Sequence, residues 1–193
     1  MQLYSFALVF LLCTFLYDQD KRQFYRDLEW DEYISQDWEP VKIRSMMGNL
    51  RHFRLQSSLE QTDYKLSYFT DGEEDAGEIV TEMLLQDQLS ANVIVSHGKF
   101  LDIIPGRASK GTAVEYLRNK NGLPVNAVIA AGDSGNDVEM LKVARSAIIV
   151  GNHIDGVTAI PALKYSYVAK ATHAAGVLEG IEHFLTQQSP KNR

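Results

Sequence analysis

Asp133 and Asp137 stand four residues apart in Gly132-Asp133-Ser134-Gly135-Asn136-Asp137. Before them runs an apolar stretch, Ala127–Ala131, and after them Val138, Leu141 and Ala144 recur at helical spacing. The apolar stretch has the pattern of a strand buried on both faces. Two carboxylates therefore sit where a parallel strand turns into a helix, the place where ligands of open α/β sheets gather. Both are hard oxygen ligands, and Mg²⁺ takes one or two of these beside waters and phosphate oxygens. The same pair also fits a plain helix start with first-turn acidity. Two other chemistries are excluded. Gly135 is misplaced for an EF-hand loop, and no bidentate glutamate follows at the needed offset. Ser134 does not stand in Gly-x-Ser-x-Gly, so it is not in a nucleophile elbow.

Lys110 follows Ser109, a residue able to cap the next helix. Gly106 and Gly111 imitate a phosphate loop, but Thr112 stands where the Walker lysine belongs, which argues against a nucleotide loop. A lysine in the first turn of a helix opposes the macrodipole. That placement makes sense if the side chain points at an anion; the alternative is a solvated lysine. Gly151-Asn152 ends a strand at the same sheet edge as Asp133 and either lines that pocket or makes a turn. His52, His97, His153, His173 and His183 show no ligand spacing and read as surface or turn residues.

The elements that must position these residues fall into two grammars. Leu28–Leu50 reads as helix, a break near Pro40, then helix. Tyr64–Thr70 reads as a strand, Asp71-Gly72 as a turn and Ala76–Leu89 as a helix. Ala91–Ser96 and Phe100–Ile104 read as strands around His97-Gly98, and Asp18–Asp27 as a polar turn. Residues 18–100 are thus α+β with antiparallel strands. From Leu101 onward strands and helices alternate. The strands are Leu101–Pro105, Val125–Ala131, Ala147–Val150 and Tyr165–Val168. The helices are Ser109–Asn121, Asn136–Arg145, Ile154–Leu163 and Gly176–Thr186. This implies a parallel, doubly wound sheet.

The totals narrow the setting. A net charge of −6 without a basic cluster argues against a nucleic-acid partner. Cys13 is the only cysteine, so there is no intrachain disulfide or thiolate metal cage, and a reducing, cytoplasmic setting is expected. Leu3–Tyr17 is almost wholly apolar, yet lacks a signal peptide's basic start and cleavage site and is shorter than a membrane span. It reads as a strand or start-site remnant, the alternative being a signal or anchor segment, and a membrane partner is not expected.

Together, Leu101-Asp102-Ile103-Ile104-Pro105, Ala108-Ser109-Lys110-Gly111, Gly132-Asp133-Ser134-Gly135-Asn136-Asp137, Val150-Gly151-Asn152 and Gly176-Val177-Leu178-Glu179-Gly180-Ile181 resemble the haloacid-dehalogenase (HAD) superfamily. Within it they resemble the sucrose-phosphate phosphatase family. Asp27…Trp30, Leu55-Gln56, Glu60-Gln61 and Tyr64-Lys65-Leu66-Ser67-Tyr68 resemble that family's cap. The resemblance covers roughly residues 24–185.

It implies an α/β fold, a partial Rossmann-like HAD core with an α+β cap domain. Residues 1–17 are then the apolar N-terminal segment, 18–100 the cap and 101–193 the C-terminal part of the core. It further implies Mg²⁺-dependent hydrolysis of a sugar phosphate, sucrose 6-phosphate or a similar ester, through an aspartyl-phosphate. Lys110 would steady the phosphate and nucleophile charge, Asp133 would bind Mg²⁺, and Asp137 would support the metal directly or through water. Lys65, Ser67, Asn136 and Asn152 would contact substrate.

One feature departs from the family, which opens with a core strand carrying Asp-x-Asp-x-Thr, the nucleophile motif. Asp18-Gln19-Asp20 imitates it, but Arg22 stands where Thr belongs. The expectation is a chain that starts inside the family pattern, lacks the nucleophile and is impaired as an enzyme; the alternative is a non-catalytic sugar-phosphate-binding or regulatory module. In this fold the missing strand would lie beside Ala127–Ala131, a slot that Phe6–Tyr17 is expected to fill as a buried strand.

Overall fold

A computed structural model describes residues 7–10, 13–18, 20–154 and 166–188. The chain divides into two compact units, Phe6–Ala108 and one containing Ser109–Arg193.

The first unit begins with β1 (Ala7–Phe10), β2 (Cys13–Asp18) and β3 (Gln23–Arg26), an antiparallel three-stranded meander. Much of the apolar N-terminal run is therefore strand, but it pairs within this meander. The expectation that it lies beside Ala127–Ala131 is corrected: Phe15 is opposite Arg26 and Ala7 opposite Leu16, so a local hairpin takes up the backbone groups. The polar stretch Asp18–Asp27 is not all turn, because β3 returns along β2.

Helices α1 (Leu28–Ser35) and α2 (Pro40–Met47) follow, with Pro40 opening α2, where a missing N–H costs nothing. A second antiparallel sheet runs β4 (Arg54–Leu55), β5 (Leu66–Phe69), β7 (Phe100–Pro105), β6 (Ala91–Ser96). Helix α3 (Ala76–Gln86) buries Ala76, Val80 and Leu84, one face at helical spacing. These pack with Ile43, Met46 and Met47 of α2 and with Leu66, Tyr68, Leu101 and Ile103 into one core.

Leu101–Pro105 does not belong to the parallel sheet. It lies inside the antiparallel one, with Leu101 opposite both Tyr68 and Val95. The first unit extends to Ala108. The amide of Asn92 fixes this end, donating to Gly106 O at 3.1 Å and Ala108 O at 3.3 Å.

In the second unit, α4 (Lys110–Lys120) starts at Ser109, whose hydroxyl accepts from Thr112 N–H while Thr112 Oγ1 accepts from Ser109 N–H. Strands β8 (Ile129–Gly132), β9 (Ser146–Ile149) and β10 (Ser166–Val168) form a parallel sheet in the order β10-β9-β8. Pro124 begins a short 3₁₀ turn, so β8 starts at Ile129 rather than Val125. Ala130, Ala147 and Ile149 pack with Leu141 of α5 (Val138–Val143). Ile148 and Val150 pack with Phe184 of α6 (His173–Gln188). Side chains on both sheet faces are thus buried, as the apolar runs require. The helix expected over Ile154–Leu163 lies outside the described residues. Among those described, no helix is long and apolar enough to cross a membrane.

Gly180 sets the approach of α6 to this sheet. A Cβ there would lie 2.6 Å from Cγ1 and Cγ2 of Ile148 and 2.7 Å from its Cδ1. Ile148 is β-branched and fully buried, so it cannot turn aside. Gly180→Val is expected to destabilise the chain by about 2–3 kcal/mol, the cost of overpacking a dense core. Urea unfolding monitored by circular dichroism measures it, and an unchanged midpoint would refute this account of the packing.

Candidate active site

The end of β8 turns sharply. Gly132 is its last residue, Ser134 is extended and Gly135–Asp137 form one 3₁₀ turn leading into α5. This turn folds the Asp137 side chain back over the strand end. Asp137 Oδ2 accepts from Asp133 N–H at 3.0 Å, Ser134 N–H at 3.4 Å and Ser134 Oγ at 3.4 Å. Its Oδ1 accepts from Lys110 Nζ at 2.6 Å. Asp137 is buried, whereas about a third of the Lys110 side chain is exposed. Burial pushes the Asp137 carboxyl up; the bonds from Lys110 and from the two backbone N–H groups outweigh it and hold the group below its ordinary range.

Lys110 is thus aimed by a carboxylate 27 residues away. Asp133 has the opposite situation. Its backbone is fixed, because Asp133 O accepts from Ile154 N–H at 2.8 Å. Among the described residues nothing donates to its carboxylate. Among those residues, too, no three His, Cys, Asp or Glu side chains gather as a metal cage. A cation that needs only one protein carboxylate fits Asp133, and Mg²⁺ is such a cation. Both oxygens of Asp137 already have partners.

The neighbouring loop follows the same strand ends. Val150 N–H donates to Gly132 O, and Asn152 Oδ1 accepts from His173 N–H at 2.7 Å where α6 begins. Asn152 therefore caps a helix beside the loop that carries Asp133. Glu179 of α6 takes Tyr167 OH at 2.7 Å and the N–H groups of Lys170 and Ala171. The Tyr167 hydroxyl, then those N–H groups, lower its carboxyl to about 2. The side chain of Asn136 lies outside what the structure describes.

Lys65 and Ser67 belong to the first unit. Ser67 is buried, with its hydroxyl 2.6 Å from Asp102 Oδ1 and 3.1 Å from Glu60 O. Lys65 Nζ lies 4.0 Å from the same Asp102 oxygen. Gln61 spans Ser67, accepting from its N–H and donating to its carbonyl, while Gln56 donates to Tyr68 O. The residue that organises this group is Asp102, which the sequence reading does not single out. Its signal was available: one carboxylate at an alternate position in the apolar strand Leu101-Asp102-Ile103.

Comparison with known proteins gives this geometry a family. The model of the sucrose-6F-phosphate phosphohydrolase family matches residues 8–185. A putative HAD-like hydrolase of Nitrosococcus oceani is 31% identical over 199 residues, covering 90% of this chain and 54% of that protein. Probable sucrose-phosphatase 2 of Arabidopsis thaliana is 30% identical, covering 82% of this chain and 40% of its own length. The chain thus spans about half, or less, of these relatives. The crystal structure of a sucrose-phosphatase from Synechocystis, in complex with sucrose and phosphate, is similar with a TM-score of 0.71. It is 30% identical, and the match covers 88% of this chain and 70% of that one. The family match over residues 8–185, with the sequence relatives and the shared fold, places the chain in the sucrose-6F-phosphate phosphohydrolase family of HAD-like hydrolases.

Proposed function

We propose that this chain carries the phosphate-binding and sugar-binding parts of a sugar-phosphate phosphatase, and that these 193 residues bind a sucrose-type phosphate monoester without turning it over. The observation that carries the reading is Lys110, held by Asp137 at the end of the strand that leads to Asp133, whose carboxylate has no donor among the described residues. Lys110 supplies positive charge to phosphate oxygens, and Asp137 fixes its direction. Asp133 would hold Mg²⁺, which when bound neutralises charge on the transferring phosphoryl group. Asn136 and Asn152 would complete the rim. Lys65 would face the sugar, with Ser67 acting through Asp102 rather than touching it.

Lys110 and Asp133 assist an attack on phosphorus but do not replace an attacking carboxylate. These residues contain no Asp-x-Asp-x-Thr; Asp18-Gln19-Asp20 ends in Lys21-Arg22 instead. Binding without turnover follows, and a cytoplasmic setting is proposed with it.

Calorimetry and a phosphate-release assay with sucrose 6-phosphate and Mg²⁺ test this. Saturable binding with background turnover is expected, and Lys110→Ala should weaken binding tenfold or more, since a bond to a charged group contributes about 1.5–3 kcal/mol. Absence of binding would sink the proposal. Rapid phosphate release that disappears in Asp18→Asn would make Asp18 the nucleophile and overturn the impaired reading.

A further inference from the structure

The first unit has a pocket that the sugar-phosphate reading leaves unused. It lies on the α2 side of the antiparallel sheet and measures about 220 Å³. Tyr68 lines it and follows Ser67 along β5, so its side chain points to the opposite sheet face from the Ser67–Asp102 bond. Met47, Leu50, Phe53 and Leu55 make apolar walls. Two polar side chains join them. Arg44 comes from the last turn of α2, and Tyr68 is 96% buried, packed in the core with Ile43 and Met47.

Among the described residues the Tyr68 hydroxyl makes no hydrogen bond and the Arg44 guanidinium makes no ion pair. A phenol at this depth ordinarily finds a partner. Burial pushes the Tyr68 phenol up and the Arg44 charge opposes it, so the two groups lie within electrostatic reach. A cation at a helix C-terminus is common and needs no ligand. A tyrosine more than nine-tenths buried, lining a cavity beside that cation and with no protein partner for its hydroxyl among the described residues, is the independent observation.

We propose that this pocket binds a small organic monocarboxylate with an apolar body. The planar guanidinium takes the carboxylate through two parallel N–H bonds, and Tyr68 OH donates to it. Met47, Leu50, Phe53 and Leu55 cover the body. The volume equals that of roughly seven water molecules, which suits a benzoate-sized ligand. Inorganic phosphate fits poorly, because the apolar walls would leave most of its oxygens without donors.

Sodium benzoate, titrated into the full chain and followed by tyrosine difference absorbance and calorimetry, tests the site. Saturation in about the millimolar range is expected from the binding energy available to so few atoms. Arg44→Gln should weaken it at least tenfold. Tyr68→Phe, which keeps the ring in the core, should weaken it several-fold and remove the absorbance change. Benzyl alcohol, equal in size and uncharged, should bind at least tenfold more weakly than benzoate, and Lys110→Ala should bind benzoate like the parent. A titration that does not saturate would overturn the proposal. So would equal benzoate affinity in the parent and in Arg44→Gln, given matching circular dichroism, or equal affinity for benzoate and benzyl alcohol.

Discussion

Asp137→Ala is expected to lower the stability of the chain by about 3 kcal/mol at neutral pH, the largest loss from any single side chain at the candidate site. Removing the carboxylate leaves Lys110 without its 2.6 Å partner and takes the acceptor from the N–H groups of Asp133 and Ser134. Breaking a buried charged pair costs about 3–5 kcal/mol. Lys110 is partly exposed and water screens the charge left behind, so the lower end applies. Urea unfolding of the full chain measures the loss, and a difference below about 1 kcal/mol would show that the pair is incidental.

Acid should erase this difference. The Asp137 carboxyl titrates lower when folded than its ordinary value of 3.8. A depressed carboxyl stabilises fully above the unfolded value and loses that contribution as pH falls through the folded one. The gap between the parent and Asp137→Ala should therefore be constant from neutral pH down to about pH 5 and shrink below about pH 4. A gap that widened with acidification would reverse the sign and refute the account.

Gly132→Ala is expected to cost about 2 kcal/mol although it adds one methyl group. A Cβ at residue 132 would stand 2.5 Å from Asp137 Cβ and 2.8 Å from its Cγ and Oδ2. The methyl group occupies the space through which Asp137 folds back over the strand end, so the bonds to Lys110 and to the turn must lengthen or break. Small-to-large changes in a packed site cost about 1–3 kcal/mol. The sharper test is non-additivity. If the alanine acts by displacing Asp137, it should cost little more once Asp137 is already alanine. A double variant destabilised by the full sum of the two single losses would locate the strain in the strand itself. Sucrose 6-phosphate binding should fall in both single variants, because each releases Lys110 from its fixed direction.

Much of the fold could be read from short stretches of chain. The break at Pro40 separates two helices, the Ser109 cap begins α4, and the alternation of strands and helices from Val125 onward produces a parallel sheet buried on both faces. The turn after β8 was equally legible, since a short loop carrying Gly132 and Gly135 joins an apolar strand to an amphipathic helix. These features arise within a few residues, where spacing, capping and backbone freedom act directly.

Tertiary structure decided what depended on distant partners. Leu101–Pro105 is the same apolar run in either sheet, and only pairing with Leu66–Phe69 and Ala91–Ser96 assigns it to the antiparallel one. The N-terminal run is extended, as its composition suggests, but Gln23–Arg26 captures its backbone locally. Ser67 sits on the expected strand, yet a hydrogen bond to Asp102, 35 residues away, turns its hydroxyl inward. Asp137 is a first-turn carboxylate by sequence, and a lysine 27 residues upstream makes it the anchor of the site. Residue type and local spacing determine which groups are present and which elements carry them; long-range pairing determines what each group faces.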